Sequence, residues 1–322
     1  ALMIALALEI LKRNLVVTWW TNIRFEKSFT KDLCLLLKAS GCIAVSGGLE
    51  VASDRLLALI DKGVTVEQVA QVTLNFTEAS IMVHAYLMYG FPTQTVQETV
   101  DSLEMVRQLF ELQIIQSGFW HQFALTTHSP IGLAPERYGV LPEYKDITFA
   151  NNDVDFKDKT SIEHDKFSFG LKKSIFNFMH GIGFDLPLQD WFDFEIPPTE
   201  IQSYFIEDCL KPEENLNTKS SAKIIWLGSE PLVSYTSKTK RGNTLALINL
   251  AFHSKNDLLE ISFKKEKGEW LLAILKKISV RQNSTLSFSQ LKDDFELHFE
   301  NFELFWYSKP IKKLRNFGLL VL

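Results

Sequence analysis

Four short apolar runs in the first part of the 322-residue chain each end in residues able to bind or react. After Leu15 to Trp20 come Thr21, Asn22, Arg24 and Glu26. Cys42 to Val45 is followed by Ser46-Gly47-Gly48-Leu49-Glu50-Val51-Ala52-Ser53, and Ile81 to Met88 by Tyr89-Gly90-Phe91-Pro92-Thr93-Gln94-Thr95. Around the fourth run, Phe119 to Thr126, lie His121, Thr126, Thr127, His128 and Ser129. Gly47 and Gly48 let the backbone approach a ligand closely. Glu50 can accept hydrogen bonds from a ribose or an amino group, and Ser53 stands where a helix N-terminus favours an anion. His121 and His128 titrate near neutrality and are the candidates for moving a proton. A structural reading stands beside each of these. Gly47 and Gly48 could form only a tight strand-to-helix turn, Ser53 could be only a cap, and Gly90-Phe91-Pro92 could be a connector stiffened by the fixed φ of proline.

The remaining chemistry-bearing residues exclude more than they suggest. Cys34 and Cys42 are eight apart, Cys209 is remote, and no CxxC pair exists, so no zinc or iron–sulfur site is expected from this chain's own residues. So few cysteines indicate a reducing compartment, and the cytoplasm is the expected one. The net charge of −5 argues against a nucleic-acid partner gripped by overall charge. The basic run Lys309, Lys312, Lys313 and Arg315 reads either as a recognition-helix face or as a solvated helix end. Ala1 to Leu11 is broken by Glu9 and is shorter than the ~20 residues of a spanning helix, so no membrane partner is expected.

The elements that must position these residues alternate strand and helix. Thr30, Ser53, Thr65 and Thr95 stand at helix starts, with capping-box spacing for Thr65/Gln68 and Thr95/Glu98. Val66, Val69, Val72 and Phe76 make one helical stripe, and Val96, Val100, Leu103, Val106 and Phe110 make another. The pattern β-α-β-α-β-α-β predicts parallel strands, apolar on both faces. Four units cannot close an eight-fold barrel of about 250 residues. Beyond Ile131 the rhythm changes. Asn151-Asn152-Asp153 suggests a hairpin turn, His164 to Met179 and Glu200 to Leu210 suggest helices, and Lys211 to Ser221 is the linker candidate. The tail reads as strands at 223–227, 245–252 and 258–263 and helices at 270–278, 288–299 and 302–317. Its helices followed by a short strand give a winged-helix-like end.

Two stretches then carry a resemblance. LKASGCIAVSGGLEVASDRLLALIDKGVTVEQV (Leu37 to Val69) and MYGFPTQTVQETVDSLEMVRQL (Met88 to Leu109) resemble radical S-adenosylmethionine enzymes. The flavour is that of the branch often carrying an upstream cobalamin-binding domain. The resemblance implies a partial (βα)6 TIM-like barrel missing its first strands, binding S-adenosylmethionine beside a [4Fe–4S] cluster. Reductive cleavage would give a 5′-deoxyadenosyl radical acting on a small-molecule or otherwise unknown substrate, with a reductant protein serving the cluster and cobalamin as an optional further cofactor. Position by position, Gly47, Gly48, Glu50 and Ser53 fall on the motif near the cofactor's ribose and amino acid. Gly90 and Pro92 fall on the turn near the adenine, and Arg24 is placed to face the cofactor carboxylate. The cluster's CxxxCxxC loop is absent, and the chain opens inside a helix-like run without Met. The expectation is therefore an N-terminally truncated fragment, inactive alone, whose cluster ligands lie upstream. The expected domains are 1–130 (partial barrel), 131–215 (mostly helical extension) and 222–322 (α+β, winged-helix-like). The competing readings are an ordinary α/β enzyme using Glu50 or His121 in acid–base work, and a nucleic-acid or protein binding module built on the tail.

Overall fold

A computed structural model describes residues 2–143, 152–210, 218–240, 243–254, 257–282 and 285–322. The elements run α1 (Leu2–Lys12), β1 (Trp19–Ile23), α2 (Lys31–Ala39), β2 (Cys42–Glu50), α3 (Asp54–Leu59), α4 (Val66–Glu78), β3 (Met82–Tyr89), α5 (Val96–Glu111) and β4 (Ser117–Gln122). Next come β5 (Leu125–Thr126), α6 (Pro130–Leu133), β6 (Val140–Glu143), β7 (Asp153–Asp158), α7 (Phe167–Met179) and α8 (Phe205–Cys209). The tail holds β8 (Lys223–Trp226), β9 (Leu232–Lys240), β10 (Asn243–His253), β11 (Leu258–Lys264), α9 (Lys265–Lys277), β12 (Leu286–Ser287), α10 (Phe288–Glu296), α11 (Phe302–Trp306), α12 (Lys309–Phe317) and β13 (Leu319–Val321). Two compact units emerge: one of residues 19–29 and 43–212, the other of 1–18, 30–42 and 213–322.

The first unit is built on a sheet in the order β1-β2-β3-β4, with β2, β3 and β4 parallel. This is a mixed α/β arrangement in which strands adjacent in sequence are adjacent in space. Pairing Val45 with Val83, and Leu87 with Trp120, fixes the register, and these four side chains are buried. The helices open as their cap residues require. Thr65 accepts from the Gln68 N–H, and Thr95 from the Glu98 N–H. The Thr95 box closes, with the Glu98 carboxylate taking the Thr95 N–H. The Thr65 box does not, because the Gln68 amide donates instead to the Phe25 carbonyl at 2.7 Å. A second, antiparallel sheet, β5-β7-β6, lies beyond the parallel one.

Several expectations are corrected. The first strand is Trp19–Ile23, not Leu15–Trp20, and Val16 is fully exposed. The second strand does not stop at Val45 but continues to Glu50, so Gly47 and Gly48 are strand residues rather than a turn. The cause is close packing, since a Cβ on Gly47 would drive into the Phe25 ring. The fourth run breaks at Gln122 into β4 and the two-residue β5. Of the expected helix 200–210, only Phe205–Cys209 forms. The Asp101 carboxylate takes the Thr199 hydroxyl and the Glu200 N–H, holding that stretch as a turn. Asn151 and residues 211–217 of the linker candidate lie outside the described residues.

In the second unit, β8 lies between β12 and β13, and β10 lies between β9 and β11. Phe295, Phe302, Phe305 and Trp306 are buried in the core of this unit, with Phe299 packed against it. The single expected helix 302–317 is two helices, because Pro310 lies in the first turn of α12 and its missing N–H suits only a helix start. Within the same unit the Asp32 carboxylate accepts the Val321 N–H at 2.7 Å and lies 3.5 Å from Arg315. Arg315 is therefore committed inside the unit, and it leaves the exposed basic run to Lys309, Lys312 and Lys313.

Candidate active site

The C-terminal edge of the parallel strands gathers most of the residues singled out from sequence. A register shift between Gly48 and Glu50 ends β2, and Glu50 sits in the left-handed region at φ 58°. Its carboxylate turns back over Gly48 and meets the Lys62 ammonium at 2.5 Å, both side chains about three-quarters buried. A Cβ at Gly48 would strike the Glu50 carboxylate and crowd the Lys62 ammonium, so glycine makes this ion pair possible. Arg24, just past β1, donates through its guanidinium to the Lys62 carbonyl. Arg24 after β1 and Gly48 and Glu50 of β2 thus converge on Lys62, which sequence reasoning missed. The signal was available: Lys62-Gly63 closes α3 within the first resembling stretch, and Gly63 adopts φ 70°.

Ser53 caps α3 and also donates to the Glu98 carboxylate at 3.1 Å. Arg55 grips the same carboxylate with two N–H groups at 2.7 Å and donates to the Thr93 carbonyl at 3.0 Å. Burial works to raise the Glu98 carboxyl pKa, but Arg55, Thr95 and Ser53 outweigh it and hold it below the ordinary value. Through this carboxylate the turn after β2 is fastened to the turn after β3. In that second turn Gly90 takes φ 73°, Phe91 is buried among Val51, Leu56 and Leu125, and Pro92 is buried beside it. Thr93, at φ 71°, donates its N–H to Asp158 at 3.0 Å and so ties the turn to β7.

The sheet presents one face to its helices and leaves the other open. Along β3 the exposed or half-buried residues are Met82, His84, Tyr86 and Met88. On β4 they are Ser117, Phe119 and His121, with Gln122 also exposed at the strand end. His84 Nδ1 lies 2.8 Å from the Ser117 hydroxyl. Burial, and then the charge of His121, hold the His84 imidazole below the ordinary histidine value. His121 is exposed on this face, its ring 4.5 Å from that of Phe119. His128 is also exposed, in the turn before α6, and the structure does not join it to the other site residues. Gly47 points instead to the helix-covered side, against Phe25.

Past the ends of β3 and β4 opens a cavity of about 940 Å³ lined by Gly90, Gln122, Phe123, Asp155, Phe156 and His164 among others. His164 is a second residue that sequence reasoning missed. It belongs to a region without resemblance, and no spacing linked it to Gly90.

The residues at the strand edge match the polar groups of S-adenosylmethionine. Glu50 suits an ammonium, and Lys62 and Arg24 suit a carboxylate, while the space over Gly48 is taken by the Glu50–Lys62 pair itself. The fit fails for an iron–sulfur cluster. Cys34 and Cys42 are buried on a helix and at a strand start, and Cys209 is remote from both in sequence. Among the described residues no group of three His, Cys, Asp or Glu could hold a metal ion. No described helix is long and apolar enough to cross a membrane.

No family model matches the chain. An uncharacterized methyltransferase of Pyrococcus horikoshii is 26% identical over 106 residues, which are 33% of this chain and 23% of that protein. The anaerobic magnesium-protoporphyrin IX monomethyl ester cyclase of Rubrivivax gelatinosus is 28% identical over 100 residues, 31% of this chain and 18% of that protein. The chain thus matches less than a quarter of the length of either curated relative. Among solved structures, the radical S-adenosylmethionine methyltransferase TsrM of Kitasatospora setae, with its tryptophan substrate and a cofactor analogue bound, superposes with a TM-score of 0.41. That match has 14% identity and covers 54% of this chain and 39% of TsrM.

Proposed function

We propose that this chain, which resembles the radical S-adenosylmethionine enzymes of the cobalamin-associated branch, forms the cofactor-facing part of such an enzyme. The observation that carries the reading is the convergence of Arg24, Gly48 and Glu50 on Lys62, with Ser53 fastened through Glu98 to the Gly90 turn. In this reading the edge recognises an α-amino acid head group. Glu50 takes the ammonium, while Lys62 and Arg24 turn to the carboxylate. The Gly90-Phe91-Pro92 turn supplies the backbone wall for the nucleoside, and Gly47 supports the strand through its packing on Phe25. When bound, S-adenosylmethionine supplies a reactive sulfonium. His121 and His84 face the open side of the sheet, where a substrate proton can be taken up, and His128 keeps its proposed proton-transfer role only if it is brought to that side.

A partial (βα)6 barrel, a small-molecule substrate, a reductant protein, cobalamin and a cytoplasmic setting belong to the same proposal. So do the division at 1–130, 131–215 and 222–322 and the winged-helix-like end. This sequence has no cysteine triplet for the cluster, so the proposal assigns those thiolates to residues outside it and treats the chain alone as inactive. The nucleic-acid reading of the tail is weakened by the commitment of Arg315 to Asp32.

Equilibrium dialysis of radiolabelled S-adenosylmethionine against the full chain tests the reading. Saturable binding should weaken about tenfold in Glu50→Gln, the scale of one hydrogen bond to a charged group. Equal binding by both proteins, or none by the unaltered chain, contradicts it.

A further inference from the structure

We propose that the outer face of α7 docks on a membrane surface containing anionic lipid, with Phe169 and Phe176 in the bilayer interface and Lys172 and Lys173 at the headgroups. α7 is apolar on two sides. Its inner face is Phe167, Gly170, Leu171, Ser174, Ile175 and Phe178, at helical spacing and all buried. That side is occupied within the first unit. A Cβ at Gly118 of β4 would lie 2.8 Å from Ile175 Cδ1, and the Phe178 ring lies 5.6 Å from Trp191 and 6.3 Å from Phe110. On the other side Phe169 and Phe176 are 75% and 60% exposed, and Ile182, just past the helix, is 56% exposed. One exposed apolar residue is ordinary on a protein surface. Two phenylalanines at i and i+7 of one helix, opposite a fully packed face, are not, because a helix apolar all round is one that is covered all round.

The charges around the two rings say what the cover is. Lys172 and Lys173 stand three and four residues from Phe169, and His180 stands four from Phe176, so all five share one face. The His180 Nδ1 lies 2.7 Å from the Phe176 carbonyl, which keeps its ring 4.6 Å from that of Phe176. In a unit where Asp and Glu outnumber Lys and Arg, residues 166–184 hold Lys166, Lys172 and Lys173 and no acid. Lys166 is taken by Glu163 at 2.7 Å, whereas Lys172 and Lys173 are exposed and, among the described residues, have no carboxylate partner. The cover is thus anionic at its surface and apolar just beneath, which is the layering of a bilayer interface. The lysine stems can lie along the apolar layer while their ammonium groups stay at the phosphates. Aliphatic Ile182 extends the apolar line and cannot stack on a base, which favours acyl chains over a nucleic-acid strand. Such a contact is peripheral and requires no spanning helix. It does not rest on the cofactor reading, since none of these residues belongs to the strand-edge site.

The test is co-sedimentation of the full chain with vesicles of phosphatidylcholine alone or of phosphatidylcholine mixed with phosphatidylserine. The chain should pellet with the mixed vesicles and bind the neutral ones about tenfold more weakly, the scale set by two lysines near an anionic surface. Added salt should weaken binding to the mixed vesicles. Lys172→Gln with Lys173→Gln should also lose about tenfold. Phe169→Ser with Phe176→Ser should lose about tenfold or more, since each ring carries a large apolar surface. Both rings are exposed, so this double variant should keep its Tm within about 2 °C; a larger fall would show that they pack inside the chain and would overturn the proposal. Equal binding to both kinds of vesicle, or no binding to either, overturns it, as does unchanged binding by either double variant. So does a single-stranded oligonucleotide that binds the unaltered chain but not the Phe169→Ser, Phe176→Ser variant. A dimer that this variant makes monomeric would likewise overturn it, by assigning the face to a second copy.

Discussion

Replacing Glu98 by Ala should loosen both turns of the candidate site at once, although Glu98 itself need touch no ligand. The carboxylate accepts from Ser53 at 3.1 Å, from Arg55 twice at 2.7 Å and from the Thr95 N–H at 3.0 Å. Loss of the capping-box acceptor costs about 0.5–1 kcal/mol. The Arg55 fork is half exposed, so screening holds its share to roughly 0.5–1 kcal/mol. The Ser53 bond adds about 0.5 kcal/mol. These contacts share one carboxylate and are not independent, so a total of about 1.5–2 kcal/mol is expected. For a unit of this size that is a fall in Tm of roughly 3–8 °C. The pH dependence has a definite sign. Glu98 is held below its ordinary value in the folded chain. Its contribution is therefore full above the unfolded carboxylate pKa and fades as pH falls through the lower folded value. Thermal unfolding of both proteins at neutral and acid pH measures this. A Tm within about 1 °C of the unaltered chain at neutral pH, or a difference that grows on acidification, would refute the clamp.

Further consequences can be checked on the same protein. Gly47→Ala should destabilise the chain by about 1–3 kcal/mol, because the added methyl enters the Phe25 ring; unchanged denaturant midpoints would return Gly47 to the turn role. His121→Asn should raise the His84 pKa by only the smaller part of its depression, since burial is the larger cause. Histidine NMR titration reads this, and complete restoration would contradict it. Iron and sulfide reconstitution of the chain should yield no [4Fe–4S] absorption and no S-adenosylmethionine cleavage, because its sequence holds three scattered cysteines and no CxxxCxxC loop; a stable cluster spectrum would reverse that conclusion.

Much of the chain up to Gln122 was legible because local chemistry and tertiary packing agree there. Thr30, Ser53, Thr65 and Thr95 cap helices where their spacing says they should. The apolar runs of β3 and β4 pair in parallel, although only one of their two faces is buried, where both were expected to be. What was not legible depends on contacts distant in sequence. Gly47-Gly48 looks like a turn locally, yet the Phe25 ring and the Glu50 carboxylate make it a strand with no space for side chains. Lys62 gains meaning only through Glu50 and Arg24, and His164 only through Gly90. The sheet β5-β7-β6 was missed because the pairs Leu125–Val154 and Val140–Asp158 leave too short an apolar alternation to read. β9 was missed because its exposed Ser, Thr and Lys residues are held by pairing with β10 rather than by burial.

Backbone amide shifts on titrating the full chain with S-adenosylmethionine test the central claim most directly. The account predicts saturable changes at Arg24, Gly48, Glu50 and Lys62 together with Gly90, all with one dissociation constant. Changes confined to β8–β13 and α9–α12, or changes at Gly90 that saturate independently of those at Glu50, would contradict it.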